Sequence, residues 1–398
     1  MMQTCAINGW TLTSALGAGL ATLGPALAAR ESGLRRNDFP GSGIDTWIGR
    51  VDGLDDGEAL PERWRSRNNA LAELGLAQDD FIGRVRDTRD RLGADRLGVI
   101  IGTSTSSIGR TEAAYRAMDN DRWPAEYLQP DVHQPHSPGL YVAHRLGITG
   151  PALTISTACA SSAKVFASGW RWLQSGVVDA VVVGGVDSLC HSVLGGFSSL
   201  ELTSTQPCRP FDTRRDGISL GEAAGFALLT RPQDAPASAP WLAGYGETSD
   251  AFHMSQPPEN GAGAEAAMRA AIGRAGLDAA EIGYANLHGT ASQANDIAES
   301  RALSRVFGEP VPVSSTKGWT GHTLGAAGIV EAVIALQALV TGLLPGTLNL
   351  SEPDPGLAFP ILQDNLEASI GAALSNSFGF GGNNCSLVFR RRLSGAEA

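Results

Sequence analysis

Residues 152–187, ALTISTACASSAKVFASGWRWLQSGVVDAVVVGGVD, decide the fold. The short apolar run ALTI reads as a buried strand. Small polar residues then lead to Cys159, residues 160–175 read as a helix, and residues 179–184 read as a second apolar strand. A strand, a helix and a strand in such close succession predict α/β layers. A cysteine at a strand-to-helix junction sits beside free N–H groups and the positive end of the helix dipole, which favour the thiolate. That is one way to activate a nucleophile without a nearby cation. A lone cysteine is more commonly a small buried residue, so the rest of the chain must decide.

The same alternation runs outward from this stretch. Upstream, CAINGWTLTSALGAGLATLGPALAA has the apolar character of a signal peptide but lacks a basic start, and Asn8, Gly9 and Thr11 interrupt it. A strand, a turn and a helix account for it better. LGVIIGTSTSSIG reads as a buried strand entering a Gly/Ser/Thr turn. Downstream, QDAPASAP (233–240) is the best candidate linker. The layout then repeats. Expected elements are a helix over 263–275, a strand over 282–287 ending at His288, a helix over 292–307, strand VPVSS, and a long helix over 324–341. Strands near 347–350 and 371–375, then CSLVF, close the chain. Two halves, 1–235 and 241–398, with largely parallel sheets are expected.

Composition bounds the function. The 398 residues are 43% hydrophobic and 18% charged, ordinary for a globular enzyme. A formal charge of −11 disfavours nucleic acid and anionic membranes. Five widely spaced cysteines without CxxC pairs argue against a disulfide framework or a zinc site, and fit a reducing cytoplasm. No uninterrupted apolar run is long enough for a membrane span.

Three segments place reactive side chains at a strand end or in the turn after it. They are TACASS at Cys159, NLHGTASQANDIAES at His288, and SSTKGWTGHTLGAAGIVE at Lys317 and His322. In open α/β sheets, ligands collect at such places. With NSFGFGGNN, and in this order and spacing, these motifs resemble the β-ketoacyl–acyl carrier protein synthases, condensing enzymes of the thiolase fold. The resemblance covers essentially the whole chain.

It implies two similar halves in α/β/α/β/α layers, and the decarboxylative Claisen condensation that elongates a fatty-acid, polyene or polyketide chain. Cys159 would take the acyl group, and His288 and His322 would polarise the malonyl thioester and stabilise its enolate. Lys317 and Glu331 would form a supporting pair, while Asp296 and Glu299 would hold the loop after His288. The backbone N–H groups of Cys159 and Phe380 would form the oxyanion hole, with Phe378 and Phe380 at the entrance. Thr290 and Ser292 would bind the phosphopantetheine arm, and Ile108 would gate chain length. Arg65, Arg67 and Arg209 would receive an acidic acyl carrier protein, although Arg65 and Arg67 also read as an ordinary solvated face. No bound cofactor or metal is implied. The partner would be a second copy or a related chain-length-factor subunit. Alternatives are a coenzyme A-dependent thiolase using Cys385 as a base, a non-catalytic chain-length-factor-like subunit, and a scaffold that only binds carrier protein.

Overall fold

The computed structural model describes residues 4–391. Eleven strands join in one sheet. Five of its principal strands come from the first half: β1 (Cys5–Ser14), β2 (Leu97–Gly102), β3 (Ala152–Ile155), β4 (Ala180–Asp187) and β5 (Ala223–Thr230). The other five are β6 (Trp241–Ser249), β7 (Tyr284–Asn286), β8 (Val313–Ser314), β9 (Ala372–Gly379) and β10 (Asn383–Arg390). Their spatial order is β8-β7-β9-β10-β6-β1-β5-β4-β2-β3. Read outward from the β1–β6 contact, each half places its strands first, fifth, fourth, second, third. Strand directions match as well, so the halves repeat one topology without a literal sequence repeat.

The sheet is mixed rather than largely parallel. β2 lies parallel to β3 and β4, and β7 to β8 and β9, while every other pairing in the series is antiparallel. In the second half the cause is local: β9 and β10 are two arms of a hairpin, and a hairpin's strands must run antiparallel. Its tip, Phe380-Gly381-Gly382, needs φ of +78° and +76° at the two glycines, a region that favours glycine.

The helices that build the layers are α1 (Arg67–Leu76), α2 (Phe81–Leu92), α3 (Ser137–Leu146), α4 (Ser161–Gln174), α5 (Ala262–Ala275), α6 (Gln293–Phe307) and α7 (Ala327–Thr341). β4 is buried on both faces, which explains its unbroken apolar sequence. Val181 and Val183 face a central core with Phe166 and Trp170 of α4 and Ile329 and Val333 of α7. Val182 faces the outer core, with Leu71 of α1, Phe81 of α2 and Val142 of α3. On the other side, Met268 of α5 and Leu303 of α6 pack against Ala285 and Leu374. The layers are therefore helix, sheet, helix, sheet, helix. Residues 324–341 have a mean hydropathy of 1.9 and the length of a membrane span, but 83% of that window is buried inside the protein, as in a core helix. Residues 347–350 form a turn rather than the expected strand.

Candidate active site

Cys159 lies in the turn between β3 and α4. Ala158 before it has φ +51°, a left-handed conformation that costs energy for a residue with a Cβ. Ser161 pins that turn by accepting the Thr157 N–H at 2.9 Å and donating to the Ala158 carbonyl. Next to it passes the end of β9. A Cβ on Gly379 would stand 2.7 Å from the Thr157 carbonyl oxygen and 3.2 Å from the Cys159 nitrogen, so only glycine lets the β9–β10 hairpin approach this closely. The approach aims the Phe380 N–H at the Cys159 thiol. Burial pushes that thiol up to about 12, against the pull of Lys317 and the Phe380 N–H. The free thiol is therefore held protonated. The junction lies where expected, but the closed site outweighs the thiolate preference expected of a helix start.

His288 follows β7 by two residues. Its loop is held by two buried carboxylates from α6. Glu299 accepts the N–H groups of His288 and Gly289 at 2.9 and 2.8 Å, and Asp296 accepts those of Thr290 and Phe211 at 3.0 and 2.8 Å. Lys317 is buried. Its ammonium donates to the His288 carbonyl, pairs with Glu331, and sits 3.3 Å from His288 Nδ1. Glu331 also accepts the Ser377 hydroxyl at 3.0 Å. His322 is fixed by its own turn, where Nδ1 accepts the Leu324 N–H at 3.1 Å. In both rings Nδ1 is thus the acceptor, which puts the remaining proton of a neutral imidazole on Nε2.

One donor atom from each of Cys159, His288 and His322 lies within 4.8 Å of the others. The imidazole rings stand edge to face, 5.5 Å apart at 90°. Burial, together with the Lys317 charge, holds both histidines well below their ordinary range, so they stay neutral at physiological pH. One thiol and two imidazoles could also hold a zinc ion. The Lys317 ammonium beside His288 opposes a dication there, and the two Nε2–H groups suit a developing negative charge instead.

Cys159, His288 and His322 line a cavity of about 340 Å³. Thr290 and Ser292 line it, their hydroxyls 2.8 Å apart. Phe378 packs edge-on to His288 at 5.8 Å, and Phe380 stacks on Phe197 at 6.0 Å. Ile108 lies elsewhere: it is 36% exposed and lines a second cavity of about 260 Å³ beside the residue 103–107 turn. That turn is the one expected to border the acyl chain, and a gating role for Ile108 remains a proposal. Arg67 does not belong to a surface patch either, because it is buried in a two-bond ion pair with Glu222 at 3.0 and 2.6 Å. Arg65 and Arg209 are half-buried. Cys385 is buried in β10 opposite Glu247 and Ser377, outside the cavity lining, and so is not placed to act as a thiolase base.

Several supporting residues went unnoticed in the sequence. Asp187, buried at the end of β4, accepts from Thr103, Ser104, Thr105 and the Gly325 N–H, tying two turns beside the site together. An acid ending an otherwise apolar strand was the available signal. Phe197 gave none, because its partner Phe380 is far away in sequence.

A five-layered fold with a cysteine and two neutral histidines at one point defines a condensing enzyme of the thiolase fold. Comparison with known proteins agrees. Residues 69–235 match the β-ketoacyl synthase N-terminal domain and residues 241–351 its C-terminal domain, and the chain belongs to that family. It is 33% identical to 3-oxoacyl-[acyl-carrier-protein] synthase 2 of Vibrio cholerae, across 97% of this chain and 98% of that one. It is 34% identical to nodulation protein E of Rhizobium meliloti, across 74% and 76%. A chain from the structure of ketosynthase ApeO with its chain length factor ApeC, from Xenorhabdus doucetiae, superposes with a TM-score of 0.89 at 36% identity, over 98% of each chain.

Proposed function

We propose that the protein elongates an acyl chain by condensing it with malonyl–acyl carrier protein. The observation that carries this reading is the convergence of Cys159, His288 and His322 within 4.8 Å. The Cys159 sulfur attacks the acyl thioester, a new C–S bond forms, and the carrier's thiol leaves with the proton. The tetrahedral oxyanion lies against the N–H groups of Cys159 and Phe380. The malonyl thioester then enters. Its C–CO₂ bond breaks, carbon dioxide leaves, and the electron pair moves onto the thioester carbonyl as an enolate. Two neutral Nε2–H donors stabilise that enolate without protonating it. Its carbon attacks the acyl–Cys159 carbonyl, the tetrahedral intermediate collapses with cleavage of the C–S bond, and the released Cys159 thiolate takes a proton from water to restore the thiol.

Thr290 and Ser292, which line the cavity, are proposed to bind the phosphopantetheine arm, and Arg65 and Arg209 to meet an acidic carrier. The edge of β3, unpaired among the described residues and with Leu153 36% exposed, suits a second copy or a related chain-length-factor subunit. Five unpaired, buried cysteines suit the cytoplasm. A purely non-catalytic role sits poorly with the complete triad.

Malonyl–acyl carrier protein carrying a labelled carboxyl group tests the reading. The wild type is expected to release labelled carbon dioxide, with about a 10²-fold loss in either His288→Ala or His322→Ala. Background release by the wild type would refute the proposal.

A further inference from the structure

The aromatic stack of Phe197 on Phe380, both of which line the Cys159 cavity, rests on a weak helix. Phe197 belongs to residues 191–199, HSVLGGFSS, which form a nine-residue helix with two adjacent glycines. Each glycine disfavours the helix by about 1 kcal/mol relative to alanine. Only Val193 and Leu194 of this helix are buried. Its N-cap is Cys190, whose side chain makes no capping bond to the helix. The orphan donors of the first turn are taken instead by Glu112, which accepts the N–H groups of His191 at 3.2 Å and Ser192 at 2.7 Å. A carboxylate at this position also meets the positive end of the helix dipole. Glu112 lies in the helix Ile108–Arg116, which begins at the wall of the second cavity.

We infer that Glu112 is a positioning residue: through the N-terminus of the 191–199 helix it sets Phe197 against Phe380 and so controls access to Cys159. The helix is otherwise held by Val193 and Leu194, which enter a small core with Ile218, Leu220 and Leu324 that Phe197 also packs against, by the Leu202 N–H donating to the Phe197 carbonyl at 3.1 Å, and by the edge contact of His191 with Phe39 at 5.3 Å. Removing the carboxylate takes the side-chain acceptor from two N–H groups of the helix's first turn and loosens that end of the helix. The Phe197–Phe380 stack then loosens, although no residue touching the thiol has changed. The inference rests on Cys159 being the reactive group of this cavity, but not on condensation being its reaction.

The test is the rate at which a small thiol reagent, iodoacetamide, modifies Cys159, located by peptide mass. Glu112→Ala is expected to speed modification by roughly tenfold, the scale of one lost charged hydrogen bond, and Glu112→Asp to restore most of the wild-type rate. Phe197→Ala should give a similar increase, and Glu112→Ala added to it should change the rate by less than about twofold, because the two act in series. A merely structural cap would lower thermal stability without that non-additivity. Should Glu112→Ala fail to fold, Glu112→Gln offers the same comparison at constant size. An unchanged modification rate, or a full Glu112 effect in the Phe197→Ala background, overturns the inference. Failure of the wild type to alkylate at Cys159 would instead count against the assignment of the site.

Discussion

Replacing Gly379 by alanine tests the contact between the hairpin and the nucleophile turn. The added Cβ would meet the Thr157 carbonyl oxygen at 2.7 Å, the Ala160 nitrogen at 3.1 Å and the Cys159 nitrogen at 3.2 Å. All three are backbone atoms and cannot swing aside. Ordinary contact begins near 3.4 Å, so the two segments must part by roughly 0.7 Å. Gly379 is not in the left-handed region, so the penalty is steric rather than conformational. The displacement carries the Phe380 N–H away from the position where the oxyanion forms. Losing one such donor costs about 10²–10³-fold in kcat, and a shift near 1 Å in a reacting group has a similar effect. We therefore expect kcat for condensation to fall about 10²-fold, with KM changed by less than about threefold. Steady-state kinetics with acyl and malonyl carrier proteins would read both. A kcat within threefold of wild type would refute the reasoning, because it would mean that the Phe380 N–H contributes little to the transition state.

Other consequences follow from the charges around the site. With its thiol pushed up to about 12 by burial, Cys159 should be modified by iodoacetamide about tenfold faster for each pH unit between about 6 and 9, and a plateau below pH 8 would contradict this. Lys317→Met leaves the buried Glu331 carboxylate unpaired and should cost about 3–5 kcal/mol in chemical denaturation, part of it recovered in the Lys317→Met/Glu331→Gln double variant. Arg67→Ala should likewise cost about 3–5 kcal/mol, because it strands Glu222, whereas Arg209→Glu should raise KM for carrier protein and leave denaturation within about 0.5 kcal/mol of wild type.

The parts of the site that depend on local pattern were legible in the sequence. The strand–Cys159–helix junction, His288 just past a strand and His322 in a later turn all lie where the motifs put them. What the sequence did not reveal depends on partners distant along the chain. Arg67 reads as a solvated cation until Glu222 is seen to bury it. The Cys159 thiol reads as activated until tertiary packing closes the site and raises it. The sheet directions were misjudged because α/β alternation implies parallel crossovers, while the last strand of each half instead returns antiparallel.

The most direct test of the central claim is intact-protein and peptide mass spectrometry after incubation with an acyl–acyl carrier protein alone. A mass increase equal to the acyl group, located on the peptide containing Cys159 and discharged when malonyl–acyl carrier protein is added, is the predicted result. An unmodified Cys159, or an acyl group found on another residue, would contradict the account.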